Sequence, residues 1–306
     1  MPTKNNHNKE RFLTACLEGD LNVVKEIILN PKFSKDIKWE KSNKMPQALE
    51  LIIGYKQINI LKFLLENDST KDKVCLTGLN EYGLNVLSLC SLHGFKEGFD
   101  YLLSNYDFEK RFNDEEISEI LFKLTTEDRL DWIKEFDSHY PIDKIMYHIN
   151  QSTNQNLLNY ALYNNDNNSE IFEYLLEKVS ISEKFDVSNL NPNGDPEFFS
   201  SIYYDNVELF KLLINSPKIE KFDIYLKNIY DEDILVSAAL NDAKDTINYL
   251  VFDLNFDFTK GTYESIEQSP SELGFLLDLE KIRENKNSLE KVINVNSVES
   301  KKKYKL

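Results

Sequence analysis

Residues 189–199, NLNPNGDPEFF, come nearest in this sequence to the spacing of a metal site. Side-chain oxygens alternate along the stretch up to Gly194, as they do in a helix–loop–helix calcium loop. Such a loop needs a bidentate acid at its twelfth position, which here is Ser200. Its first, third and fifth positions are asparagines rather than carboxylates. The pattern therefore favours a turn, Asn191-x-x-Gly194, in which glycine supplies a positive φ.

Other residues that could do chemistry are scattered. No two of the four histidines, His7, His93, His139 and His148, are spaced as a helical metal pair requires. The sequence contains no P-loop, no G-x-G-x-x-G and no G-x-S-x-G motif. We therefore predict a non-enzymatic protein, with no catalytic residue, metal, cofactor or small-molecule ligand.

Composition restricts the partners and the location. The formal charge of −16 disfavours nucleic acid and anionic membranes. No apolar run approaches the ~18 residues of a membrane-spanning helix, so no membrane insertion is predicted. The N-terminal residues lack an apolar run, and Cys16, Cys75 and Cys90 are odd in number. We therefore expect an intracellular location, most simply the cytoplasm, with no disulfide framework.

The elements that position these residues repeat along the chain. Each unit has an apolar-and-small segment, a polar break, and then apolar residues at helical spacing. The apolar anchors of the second segment are 34 to 39 residues apart, at Val24, Leu61, Phe99, Ile133, Phe172, Phe210 and Ile247. Each unit reads as two short helices that cannot bury their apolar faces alone, so the array predicts a core shared by stacked units.

These units resemble ankyrin repeats, whose pattern is roughly D-x-x-G-x-T-P-L-H-x-A-A-x-x-G-H-x-x-V-V-x-x-L-L. The matching residues of repeats one, three and seven are Ala15, Gly19, Val23, Val24, Ile27 and Ile28; Asn80, Gly83, Leu87, Cys90, Gly94, Leu102 and Leu103; and Asn228, Asp231, Leu235, Ala238, Ala239, Leu250 and Val251. The resemblance implies an all-α, ankyrin-like helix-pair solenoid. Another helix-pair solenoid is the competing interpretation, and the recurring Asn-x-x-Gly/Asp turn favours ankyrin-like units.

The sequence departs from the family pattern in three ways. No repeat keeps the T-P-L-H tetrapeptide, and the spacing exceeds the usual ~33 residues, which predicts longer inter-repeat loops. The glycine of the turn between the two helices is replaced in several repeats, by Lys56, Asp128, Asn165, Asp205 and Asp242. Asp and Asn tolerate the left-handed conformation at some cost in free energy.

The pattern divides the chain into four segments. Residues 1–7 are predicted to be a disordered N-terminal tail, and residues 8–265 an array of about seven ankyrin-like repeats. Residues 266–298 are predicted to be capping helices, because a serine cap precedes their apolar pattern. Residues 299–306 form a basic tail.

If the family's recognition surface carries over, it lies on a concave face built from the inter-repeat turns and the ends of the first helices. Tyrosines recur at these positions, either as binding residues or as packing between repeats, and both interpretations remain open. Glu115, Glu116 and Glu127 would supply an acidic floor. The candidate partner-binding residues are Tyr55, Tyr82, Leu92, His93, Tyr163, Asn193, Asp195, Tyr203, Tyr204 and Tyr230.

These residues predict an interaction scaffold that binds a protein partner, with a basic or mixed-charge segment as the expected ligand. Two alternatives stay open at this point. One is a structural component of a larger intracellular assembly, and the other is the targeting module of an effector or signalling system.

Overall fold

A computed structural model of the chain describes residues 4–35, 37, 39, 45–107, 112–150, 154–163, 169–180, 182 and 184–287. The chain forms two compact units, Met1–Ser152 and Thr153–Leu306. The helices of the first unit are α1 (Lys4–Glu18), α2 (Leu21–Leu29), α3 (Pro31–Ser34), α4 (Gln47–Gly54), α5 (Ile58–Glu66), α6 (Val86–Leu92), α7 (Lys96–Asn105), α8 (Asp114–Thr126) and α9 (Leu130–His139). Helices α1, α4, α6 and α8 pack in succession, as do α2, α5, α7 and α9, so this unit has four stacked helix pairs.

The second unit also contains helix pairs, and further helices follow them toward the predicted cap. Its helices are α10 (Leu157–Tyr163), α11 (Glu170–Lys178), α12 (Ser200–Tyr203), α13 (Val207–Asn215), α14 (Ile234–Leu240), α15 (Lys244–Asn248), α16 (Lys260–Gln268), α17 (Pro270–Leu273) and α18 (275–287). A 3-10 turn, Glu197–Phe199, leads into α12, and α15 continues as a π-helical turn, Tyr249–Asp253. In this unit, isolated bridges pair Phe185 with Ile219 and Leu190 with Pro196. The all-α prediction is confirmed.

The predicted anchors form the cores of the two units. All seven are buried, with at most 4% of each residue exposed. Burying one such side chain stabilises the fold by about 2 kcal/mol. Cys16 and Cys90 are buried at the small-residue positions, and burial raises the pKa of the Cys16 thiol to about 12. Cys75 is half-buried in a loop.

The turn between the two helices of a repeat has the left-handed conformation that the glycine replacements predicted. The φ angle is +81° at Gly19 and +61° at Gly94. It is +57° at Lys56, +51° at Asp128, +50° at Asp205 and +55° at Asp242. The corresponding turn of repeat five, at Asn165, lies outside the described residues.

One of these replacements gives its side chain a further role. The carboxylate of Asp205 accepts hydrogen bonds from the backbone N–H groups of Asp245 and Thr246, at 3.2 and 2.9 Å. Asp205 therefore caps the start of α15 in the following repeat. A glycine would remove the left-handed strain and this cap together.

Two helices begin near the predicted segment boundaries. Helix α1 begins at Lys4, inside the segment predicted to be a disordered tail. Helix α16 begins at Lys260, before the predicted start of the cap at residue 266, because Thr259 and Thr262 form a capping box there. Both threonine hydroxyls also donate to the buried Asp233, which itself caps α14. Residues 288–298 of the predicted cap and the basic tail 299–306 lie outside the described residues.

Candidate partner-binding surface

Three inter-repeat turns share one hydrogen-bonding pattern, in which an asparagine closes the turn with its own side chain. In repeat seven, Asn228 Oδ1 accepts from the backbone N–H groups of Tyr230 and Glu232, each at 3.0 Å. The Asn228 carbonyl also accepts from Asp231 N, and Asn228 N donates to the Glu232 carbonyl. Asn80 and Asn191 make the same set of bonds in repeats three and six. The fourth residue has a positive φ in all three turns: +76° at Gly83, +89° at Gly194 and +62° at Asp231.

This geometry answers the question raised by the calcium-like spacing. The side-chain oxygen of Asn191 accepts from the backbone N–H groups of Asn193 and Asp195, at 2.9 and 3.1 Å. Closure of the turn therefore uses the oxygen that a calcium loop would direct toward a cation. The described residues contain no group of three or more His, Cys, Asp or Glu side chains that could hold a metal ion.

In the second unit, the turns of repeats six and seven and two first helices surround an open pocket of about 410 Å³, which we name the turn pocket. Its lining residues come from the two turns and from α12 and α14. They are Asn193, Asp195, Tyr203, Asn228, Ile229, Tyr230, Glu232, Ser237 and Asn241. Because these elements belong to successive repeats, the stacking of repeats creates the pocket.

Asp195 links the turns of repeats six and seven by a hydrogen bond. It is almost fully buried, at 3% exposure. Its Oδ1 accepts from Ile229 N at 2.9 Å, which ties the turn of repeat six to the turn of repeat seven. Its Oδ2 accepts from the Tyr203 hydroxyl at 2.7 Å. Burial, reinforced by this bond, raises the pKa of the Tyr203 hydroxyl. Both carboxylate oxygens thus have hydrogen-bond donors within the protein.

Two apolar side chains stand at the tip of the seventh-repeat turn. Ile229 is 53% exposed and Tyr230 is 72% exposed. A Cβ added at Gly194 would lie 3.0 Å from Ile229 Cγ2, so the isoleucine sits directly against the neighbouring turn. Large exposed apolar side chains on a rigid turn are typical of binding residues, because little conformational entropy is lost when they contact a partner.

A second, smaller cavity of about 200 Å³ lies between the repeat-seven turn and the cap. Tyr230 and Glu232 line both this cavity and the turn pocket. The ion pair between Lys227 Nζ and Asp231 Oδ2, at 2.9 Å, stands among its lining residues. Tyr230 thus stands at the boundary of two concave sites in the same unit.

The structure places the candidate residues of the first unit at its surface. Tyr55, Tyr82, Leu92 and His93 are all exposed. Tyr82 occupies the third position of the repeat-three turn, as Tyr230 does in repeat seven. Tyr55 and His93 are the C-cap residues that directly follow α4 and α6.

In the second unit, the structure separates the tyrosines by role. Tyr203 packs against Phe199, with ring centroids 6.1 Å apart, and donates its hydroxyl hydrogen to Asp195. It is therefore partly a packing residue. Tyr230 is exposed, while Tyr163 is half-buried and its hydroxyl accepts from Asn193 Nδ2 at 3.1 Å. Tyr204 is exposed at the end of α12.

The acids proposed as a floor in repeat four have partners within the first unit. Glu116 completes a capping box with Asn113. Glu115 Oε2 lies 2.6 Å from His148 Nε2, and Glu127 forms an ion pair with Lys123 at 2.8 Å. These interactions give each acid a structural role in or beside α8.

Sequence reasoning missed part of the turn pocket. Ile229 and Glu232 belong to the same short turn as Tyr230, so their place in the sequence was enough to include them. Ser237 lies on α14 and Asn241 directly follows it, and both line the pocket because of how α14 packs. No feature of the sequence near Ser237 distinguishes it from an ordinary small core residue.

Comparisons with known proteins support the fold. No protein-family model matches the sequence, and no curated protein matches it. Among solved structures, the ankyrin repeat domain of Bcl-3, a unique member of the IkappaB protein family, aligns with a TM-score of 0.56 and 14% sequence identity. That alignment covers 78% of this chain and 97% of that domain. The likeness shows that the chain has an ankyrin-repeat fold, as the sequence predicted.

A second solved structure contains a predatory endopeptidase of Bdellovibrio bacteriovorus, Bd0816, in complex with immunity protein Bd3460. It matches with 19% identity over 78% of this chain and 96% of that chain. Its TM-score is 0.34, too low to support an argument. No helix in the described ranges is long and apolar enough to cross a membrane.

Proposed function

We propose that this protein is a non-enzymatic interaction scaffold, and that it binds a protein partner at the turn pocket of its second unit. The observation that carries the proposal is the pair Ile229 and Tyr230, which stands exposed on a turn beside an open pocket. Asn228 closes this turn with its own side chain, so the two residues are presented in a fixed conformation. A preorganised surface loses less entropy on binding than a mobile one.

The pocket suits a protein segment better than a catalytic reaction. The Asp195 carboxylate has donors on both oxygens, and the Tyr203 hydroxyl is committed to it. The exposed groups are an isoleucine, a tyrosine and amides, which favour contact with a peptide surface. We assign the protein to the reducing interior of a cell, in keeping with its three free cysteines.

The test is affinity capture from the native cell with wild-type protein and with the double variant Ile229→Ala/Tyr230→Ala. Because both side chains are exposed, we expect the variant to keep its helical circular dichroism while losing the specifically captured protein. Leu29→Ala, which truncates another exposed apolar side chain in the first unit, is the matched control and should capture normally.

Tyr203 is a poor residue for this test, because its removal would also leave Oδ2 of the buried Asp195 without its donor. Crosslinking of the captured complex then locates the contact. Crosslinks confined to residues around the turn pocket support the proposal. Crosslinks spread over both units and away from the turns would favour the structural component of an assembly. Equal capture by the double variant and the wild type would refute the assignment of this surface.

A further inference from the structure

The turn pocket is chemically biased toward a positively charged group. Of its described lining residues, Asp195 and Glu232 are acidic and none is basic. Asp195 already has one donor on each carboxylate oxygen. Glu232 is half-buried, and its Oε2 accepts from Asn228 Nδ2 at 2.7 Å. A carboxylate can accept further hydrogen bonds beyond this one, so Glu232 offers a negative charge with spare acceptor capacity.

A second, independent feature of the pocket also calls for a ligand. Ser237 lines the pocket from α14 and is fully buried, at 0% exposure. Its Oγ has no hydrogen-bond partner among the described residues. A buried hydroxyl without a partner costs free energy, and a ligand that donates to it recovers part of that cost.

The walls of the pocket are suited to the stem of a long side chain. Ile229, Tyr230 and Tyr203 provide apolar surface in the same pocket as Glu232 and Ser237. An extended methylene stem packs on such walls while its charged head reaches polar groups. Aromatic faces also attract a planar cation, which stacks on them.

We propose that the turn pocket receives an arginine side chain from the partner protein; this inference rests on the proposed function. The guanidinium group is permanently charged and has five N–H donors in a fixed plane. Its five donors are enough for both the Glu232 carboxylate and Ser237 Oγ. The lysine ammonium is a compact point charge without a planar face, so it fits the aromatic walls less well.

The experiment is a selection of random linear peptides displayed on phage, carried out in parallel against wild type, Glu232→Gln and Tyr230→Ala. We expect the wild-type peptides to share one arginine, and the Glu232→Gln peptides to lose it. In a synthetic wild-type peptide, citrulline in place of that arginine keeps the shape and removes the charge. It should weaken binding about tenfold.

Ser237→Ala adds a measurement that separates binding from folding. Because the variant removes a buried hydroxyl that has no partner, its unfolding temperature should not fall. The same variant should bind the arginine peptide several-fold more weakly. A lower unfolding temperature for Ser237→Ala would show that the hydroxyl has a partner in the folded protein and would overturn this part of the reasoning.

The outcomes distinguish this inference from the proposed function. Peptides that bind in a Tyr230-dependent way but share no arginine would overturn the arginine pocket and leave the proposed function intact. Equal binding of lysine and arginine peptides would overturn the choice of guanidinium. A selection with no Tyr230-dependent peptide would count against both proposals. If Glu232→Gln is poorly folded, the citrulline peptide still decides, because it is measured on the wild-type protein.

Discussion

Glu197 offers a quantitative test of how repeats five and six are joined. It begins the 3-10 turn before α12 and is fully buried, at 0% exposure. Its Oε1 accepts from Asn159 Nδ2 of repeat five at 2.9 Å, whereas its Oε2 has no hydrogen-bond partner among the described residues. Burial raises the pKa of Glu197 from 4.5 to about 7, although the neighbouring amide side chains of Asn159 and Gln155 partly oppose the rise. Glu197 therefore binds a proton more tightly in the folded protein than in the unfolded chain.

The sign of the pH dependence follows from that difference. Because the folded pKa lies above the unfolded one, the stabilisation is fully present below about pH 4.5 and is lost as the pH rises through 7. For these two pKa values, the free energy of unfolding falls by about 2 kcal/mol between pH 5.5 and 8.5. The Glu197→Gln variant has no proton to lose and keeps an acceptor for Asn159. Its stability should therefore exceed that of the wild type increasingly as the pH rises.

The assay is urea denaturation followed by circular dichroism at several pH values for wild type, Glu197→Gln and Glu267→Gln. The last variant removes an exposed carboxylate of the same unit and serves as the control. Histidines titrate in the same pH range, so the comparison uses the difference between wild type and variant, in which their contribution cancels. If Glu197→Gln and wild type lose stability in parallel from pH 5.5 to 8.5, the buried carboxylate is not ionising as described, and the reasoning is refuted.

Two further predictions concern the turns. Asp205→Gly should lower the free energy of unfolding by about 1 kcal/mol, because it removes the cap on α15. Asp242→Gly, at the equivalent position of the next repeat, should be neutral or slightly stabilising, because it relieves the positive φ and loses only an exposed contact with Lys244. Urea denaturation measures the free energy of unfolding of both variants. A change of the same sign in the two variants would contradict the capping role of Asp205. Isothermal titration with Ca²⁺ should show no specific uptake, since Asn191 Oδ1 is used within its own turn; a micromolar site there would overturn this interpretation.

The fold was predictable because its signals are local and repeated. Anchors such as Phe99 and Phe210 recur in phase, and each of them is buried. The asparagine turns were recognisable from Asn-x-x-Gly because an asparagine side chain bonds to the backbone two and four residues ahead, within the same short segment. Such interactions are specified by residues that are adjacent in the sequence.

The details of the site were less predictable, because they depend on residues far apart in the chain. Asp195 was predicted to face a partner, yet the neighbouring turn buries it and Ile229, 34 residues away, donates to it. Tyr203 and Tyr230 carry the same side chain, and only the packing of repeats makes one a partly buried hydrogen-bond donor and leaves the other exposed. Ser237 entered the site only through the position of α14.

The asparagine-closed turn separates the chemistry of recognition from the requirements of folding. Its hydrogen bonds come from the asparagine and from backbone groups, so the side chains of the two residues at its centre take no part in closing it. The three turns carry Glu81-Tyr82, Pro192-Asn193 and Ile229-Tyr230 on the same backbone. The central pair can include a charged residue in one turn, a polar residue in another and an apolar residue in the third, while the turn keeps the same hydrogen bonds. The two central residues of such a turn can therefore change, and with them what the surface can bind, while the array that supports the turn stays the same.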